Sequence, residues 1–216
     1  MTTILSYIVN QGVSEQVLSY ILLAPLVATL IVFLRQVIGL KSLGVYHPLL
    51  LAFAFASAGL KEGLFFFLLI VLLANAITYV VKKFPLLYLP RLTIVVTVTT
   101  LALILVISII RLSDYSLALS GYFPIIIILA LSDKLVTAQM KRNIKPALIL
   151  TGSTLAVALL GYFILNIVWL QNIVLNYPLI FLLVIVVINI FLGRFHGLRL
   201  NELWRFRHLL KLPPKN

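Results

Sequence analysis

The sequence predicts an all-α integral membrane protein: seven transmembrane helices arranged as an inverted 3+3 helix repeat plus a seventh helix, followed by a C-terminal amphipathic helix. Three observations carry that expectation. Of 216 residues, 63% are hydrophobic and only 10% charged, with mean hydropathy +1.20, far outside the mix that keeps a globular domain in water. Charge-free runs of about 20 residues, the length needed to cross roughly 30 Å of hydrocarbon, recur along the chain. The basic residues, 17 Lys and Arg against 5 Asp and Glu, collect in every second gap between those runs.

The runs come in order. Val17 to Leu34, Ser42 to Leu60, Gly63 to Val81 and Leu92 to Ile110 are four, each followed by Lys or Arg. Tyr115 to Ser132 is a fifth, interrupted by Gly121 and Pro124. From Pro146 to Gly193 there is no charged residue, a stretch about twice the thickness of a membrane at ~1.5 Å per residue. It therefore divides into two helices, with Asn166, Trp169, Gln171, Asn172, Asn176 and Tyr177 as an interfacial break and Pro178 as a helix start. Residues 1–15 are then a short extracytoplasmic segment without a signal peptide's basic start and small-residue cleavage site. Residues 16–194 form the membrane domain, and 195–216 a basic cytoplasmic tail.

Placing the N-terminus outside assigns fifteen of the Lys and Arg residues to the cytoplasm and leaves only Lys61 and Arg111 on the outer face. The positive-inside rule selects that orientation, and an even number of spans would destroy the segregation. The net charge of +12 thus reads as a topology signal rather than as a nucleic-acid surface. In the tail, Leu200, Leu203, Trp204 and Leu210 share a helical face among Arg199, Arg205 and Arg207, the pattern of a short interfacial helix on anionic lipid.

Leu43-Gly44-Val45-Tyr46-His47-Pro48 and Leu119-Ser120-Gly121-Tyr122-Phe123-Pro124 resemble each other, and each opens the second helix of a three-helix unit. Because three is odd, the second unit (about 90–167) lies inverted relative to the first (about 16–83), with the seventh helix at about 177–194, a transporter-like arrangement. Gly/Pro-interrupted segments at matching positions point to a site in such folds, although a proline near a helix start is also simply tolerated. Asp133 and Lys134 follow the second such segment. They sit at the inner interface if the fifth helix starts at Tyr115, and near mid-membrane, where ionisable groups are paired and functional, if it restarts at Pro124.

Arg35, Lys41 and Arg194 are the candidate partners of Asp133 and Lys134, and Arg35 and His47 beside Pro48, together with Arg194 and His196, face the same cytoplasmic vestibule. Such a convergence suits phosphate or carboxylate groups, whereas any single one of these residues is explained by orientation alone. Enzyme chemistry finds little material. There is no HExxH, GxSxG or Gly-rich phosphate loop, no cysteine, and only three His. No metal site or cofactor is expected, and a retinal Schiff base fails because Tyr177 to Gly193 contains no Lys.

The segments FLRQVIGLKSLGVYHPLLLAFAF, YLPRL, GYFPIIIILALSDK and LGRFHGLRLNELWRFR together resemble the bacterial seven-transmembrane family usually fused to an inactive transglutaminase-like domain. The resemblance carries Arg35, Gln36, Gly39, Gly44, Pro48, Pro90, Arg91, Pro124, Asp133, Arg194, Leu200, Leu203, Trp204 and Arg207 as residues of interest, with Lys134 completing an acid-base pair. The chain departs from that family in having about fifteen residues, and no such domain, before the first helix, so the resemblance implies a separate transglutaminase-like protein as a partner. A more distant similarity is to the small membrane protein of capsule poly-γ-glutamate synthesis.

Both resemblances imply a bacterial inner-membrane location and partnership with a cytosolic ATP-grasp amide ligase. The expected function is a non-catalytic membrane subunit that anchors or cooperates with that ligase in making or exporting a peptide or poly-amino-acid product. The alternatives are a stand-alone transporter of a small anionic solute or amino acid, and a scaffold without cargo.

Overall fold

The first helix, α1 (Glu15–Phe33), begins where Ser14 supplies an N-cap: its Oγ accepts the Val17 N–H at 3.4 Å, and Glu15 places a carboxylate against the positive end of the helix dipole. The computed structural model describes residue 7 and residues 9–112, 124–131 and 144–194. Within α1, Pro25 removes one backbone donor, and the Thr29 hydroxyl turns back to donate to the Pro25 carbonyl at 2.8 Å. Leu23, Val27 and Ile31, four apart and so on one face, are fully buried.

The helix then widens into a π-turn, Leu34–Ile38, in which the Leu34 carbonyl accepts both the Gly39 and Leu40 N–H groups at 3.1 Å. Gly39 ends it at φ 87, ψ 24, a left-handed conformation that a residue without Cβ adopts freely. Helix α2 (Tyr46–Ala58) is shorter than the expected run Ser42 to Leu60. The buried Ser42 donates to the Gly44 carbonyl and accepts, through its own carbonyl, the Gly44 N–H, which holds residues 42–44 in a turn. At 13 residues, α2 measures about 20 Å, less than the ~30 Å of a bilayer core.

A single residue, Gly59, joins α2 to α3 (Leu60–Val81) at φ 91, ψ 147. The chain reverses there, because Gly63 packs directly against the ring and backbone of Phe55. Phe55 in turn meets Phe67 edge to face at 6.2 Å. Along α3 the buried Gly63, Phe66, Phe67, Ile70, Ala74, Thr78 and Val81 form one stripe at helical spacing. Helix α4 (Tyr88–Leu112) packs against α3, with Val95 joining Ala74 and Val81 in a shared cluster.

Residues 124–131 form a further helical stretch, α5, that buries Pro124, Ile125, Ile128 and Leu131. Next come α6 (Ile144–Leu165), α7 (Val168–Asn176) and α8 (Pro178–Gly193), the last starting on its proline. The interfacial break expected between the last two spans thus contains a helix of its own, α7, bent 106° from α8. Its polar residues serve the end of α6: Gln171 Nε2 donates to the Leu165 carbonyl at 2.6 Å and Asn166 Nδ2 to the Tyr162 carbonyl at 2.9 Å.

Among the described residues there is no strand, and the surface is that of a protein solvated by lipid. Leu72, Leu179, Leu183 and Phe191 are all well over half exposed, and α8 buries only Pro178 and Ile185. Hydroxyl groups are satisfied inside their own helices, as hydrocarbon requires: Thr78 to Ala74, Thr99 to Val95 and Ser108 to Ile104. Among the described residues four helices are long and apolar enough to cross a membrane, Glu15–Ile38, Leu60–Val81, Tyr88–Ile109 and Leu148–Leu165, and the bent pair α7 and α8 makes a fifth if counted as one span.

The chain divides into two units, one of Met1–Leu49 with Leu160–Asn216 and one of Leu50–Leu159. In the first, α1 packs against α7 and α8; in the second, α3 packs against α4.

Candidate functional site

The first unit gathers most of the described basic residues that the sequence singles out. Arg35 and Gln36 ride on the π-turn and are exposed. A π-turn inserts one residue into a helix, shifting every later side chain around the axis, and such turns concentrate at functional positions. Lys41 is exposed in the connection to α2, His47 is half-buried in the first turn of α2, and Pro48 beside it is buried. Arg194, exposed, terminates α8 with its N–H shared between the Ile190 and Phe191 carbonyls.

Two polar contacts tie α1 to the C-terminal part of the chain, one at the end of α6 and one on α8. The Tyr20 hydroxyl donates to Asn166 Oδ1 at 3.3 Å near the start of α1, and Asn189 Nδ2 donates to Thr29 Oγ1 at 2.6 Å further along. Between Asn166 and Asn189 the chain therefore advances along α1 in the direction of α1 itself. Arg35 and Arg194 follow these last contacts by between one and two helical turns.

Beside the Thr29–Asn189 contact lies a cavity of about 670 Å³. Leu26, Leu30 and Phe33 line it from α1, and Ile188, Phe191 and Leu192 from α8. Its one hydroxyl, that of Thr29, is spent on Pro25 and Asn189, and Asn189 Nδ2 serves Thr29 and the Ile185 carbonyl. What remains facing the cavity is hydrocarbon.

In the second unit, Arg91 has a local task. Its Nη2 donates to the Phe84 and Leu86 carbonyls at 3.2 and 3.0 Å, clamping the connection between α3 and α4, while its buried Nε has no partner. Lys83 stands 5.6 Å over the Tyr79 ring. Pro124 is buried at the head of α5. Asp133, Lys134, His196, Trp204, Arg205 and Arg207 lie outside the described residues, as do the rest of the second repeat motif and the amphipathic tail. Among the described residues no group of three or more His, Asp or Glu is placed to hold a metal.

The Thr29–Asn189 pair was open to sequence reasoning, since an Asn inside a span needs a polar partner from another helix. The π-turn was not, because its apolar pattern continues that of α1.

Comparison with known proteins gives one match, to a family described as 7 transmembrane helices usually fused to an inactive transglutaminase, over residues 3–210. No curated protein and no solved structure matches the chain. With several apolar helices of membrane-crossing length and a family match over nearly its whole length, this is a multi-pass membrane protein, and it belongs to the family of seven-transmembrane-helix proteins usually fused to an inactive transglutaminase.

Proposed function

We propose that the chain is a non-catalytic membrane subunit of the bacterial inner membrane that docks a cytosolic ATP-grasp amide ligase and handles its peptide or poly-amino-acid product. In this reading it has seven spans, two inverted three-helix units and a seventh helix, with the N-terminus outside and the basic tail in the cytoplasm. The observation that supports it best is the exposure of Arg35, Gln36, Lys41 and Arg194 within one unit of the molecule. Exposed guanidinium and ammonium groups on a cytoplasmic face suit an acidic protein surface. The family's association with a transglutaminase that is itself inactive agrees with a role in assembly rather than catalysis. The second reading is a stand-alone transporter of a small anionic solute or amino acid, to which the hydrocarbon lining of the cavity offers no polar group beyond the spent Thr29 hydroxyl.

Gentle solubilisation of the tagged protein from its native host, followed by mass spectrometry of what co-purifies, tests the reading. A ligase of the ATP-grasp class is expected in the wild-type sample, with its yield reduced about fivefold or more in an Arg35→Glu, Lys41→Glu variant, since close like charges at an interface cost several kcal/mol. Repeated recovery of the intact protein without any ligase would remove the docking role. Saturable uptake of an amino acid by proteoliposomes of the chain alone would favour transport instead.

A further inference from the structure

We infer that the cavity between α1 and α8 seats one acyl chain of an anionic glycerophospholipid, with the lipid phosphate at Arg194. The cavity lies within helices that cross the membrane, and its volume of about 670 Å³ falls in the range of small-molecule sites, roughly 300–1,000 Å³. Water does not fill such a space. A buried water needs two to four polar partners, and the polar groups nearby, Thr29 and Asn189, already spend their hydrogens on Pro25, Ile185 and each other. The occupant is therefore hydrocarbon, and the hydrocarbon at hand in a bilayer is an acyl chain.

The lining also runs towards a charge. On α1 and the π-turn that follows it, Leu26, Leu30, Phe33 and Val37 follow one another by three or four residues and line the cavity together. On α8, Ile188, Phe191 and Leu192 make the facing stripe, and Arg194, three residues after Phe191, continues it. Arg35, two residues from both Phe33 and Val37, falls on the other side of its helix. A chain lying in the cavity thus brings its headgroup to one guanidinium. Guanidinium binds phosphate through two parallel hydrogen bonds, and a zwitterionic headgroup offsets that attraction with its own cation.

The test uses the full chain reconstituted in mixed bilayers with phospholipids spin-labelled near the end of the acyl chain. Electron paramagnetic resonance then counts motionally restricted lipids per protein. Wild type is expected to hold a restricted phosphatidylglycerol about fivefold more tightly than phosphatidylcholine, the effect of one basic residue at the surface. Arg194→Gln should bring that ratio close to one, whereas Lys83→Gln, in the other unit, should leave it in place. Leu30→Trp, or the milder Ile188→Phe, fills the cavity and should remove one restricted lipid per chain for both headgroups. Equal affinity for the two lipids in wild type would overturn the proposal without requiring any variant to fold. It would equally be overturned if a folded cavity-filling variant kept the wild-type lipid count, because a segment of the protein or a second copy would then cover the cavity.

Discussion

Replacing Gly63 by Leu is expected to be the most damaging single change in the described part of the molecule. A Cβ at this position comes within 2.6 Å of the Phe55 ring carbon Cδ1 and 3.3 Å of the Phe55 Cα. The first is closer than real Cβ atoms come and the second is tighter than most, and Phe55 has nowhere to go, being fully buried and fixed edge to face against Phe67. Overpacking of a filled core costs about 1–3 kcal/mol for a few added methylenes. Here the clash also bears on backbone, so a loss of about 3 kcal/mol or more is expected for Leu and a smaller one in the same direction for Ala. Thermal unfolding in detergent, followed by circular dichroism and by the monodisperse fraction on gel filtration, provides the measurement. Gly152→Ala is the matched control. It lies inside α6 with nothing within 4 Å of its would-be Cβ, so stability should stay level or rise slightly, as alanine favours helix.

The second large effect is expected at Gly59 and distinguishes backbone strain from contact. With φ 91 and ψ 147, Gly59 lies close to a region that only glycine populates readily, whereas Gly39, with φ 87 and ψ 24, sits near the left-handed helical region that asparagine also tolerates. Gly59→Asn should therefore cost about 1–3 kcal/mol, and Gly39→Asn clearly less. The Glu62 carboxylate, 3.0 Å from the Gly59 Cβ position, is the end of a flexible side chain and can move aside, so the cost at Gly59 belongs to the backbone. Equal melting temperatures for the two variants would show that the one-residue connection between α2 and α3 is not held in the geometry described.

How far the sequence foretold these features depends on which forces set them. The run Val17 to Leu34 anticipates α1 because hydrophobicity marks a span and Ser14-Glu15 marks its start, and both signals are local. The run Ser42 to Leu60 overstates α2, since apolar content does not register that the Ser42–Gly44 hydrogen bonds already commit the first residues to a turn. The sequence marks α7 as an interfacial break for a related reason. Its Gln171 and the neighbouring Asn166 look like loop residues, yet they cap the carbonyls at the end of α6. Arg91 was legible as a basic residue of the connection, but its clamp on Phe84 and Leu86 depends on the path of that connection, which no spacing encodes. Of the candidate site, Arg35, Gln36, Lys41, His47, Pro48 and Arg194 fall in one unit, while the positions of Asp133 and Lys134 lie outside the described residues.

The arrangement of the chain across the bilayer underlies both the docking role and the lipid site. The absence of cysteine from the sequence makes it directly measurable. Single cysteines placed at Gln11, Lys61 and Trp169, and separately at Lys41, Lys83 and Arg194, all exposed positions, can be treated with a membrane-impermeant maleimide on spheroplasts. Seven spans with the N-terminus outside predict labelling of the first three in intact spheroplasts and of the second three only after permeabilisation. Labelling of Gln11 and Arg194 from the same side, or of Lys61 and Lys83 from the same side, would contradict it.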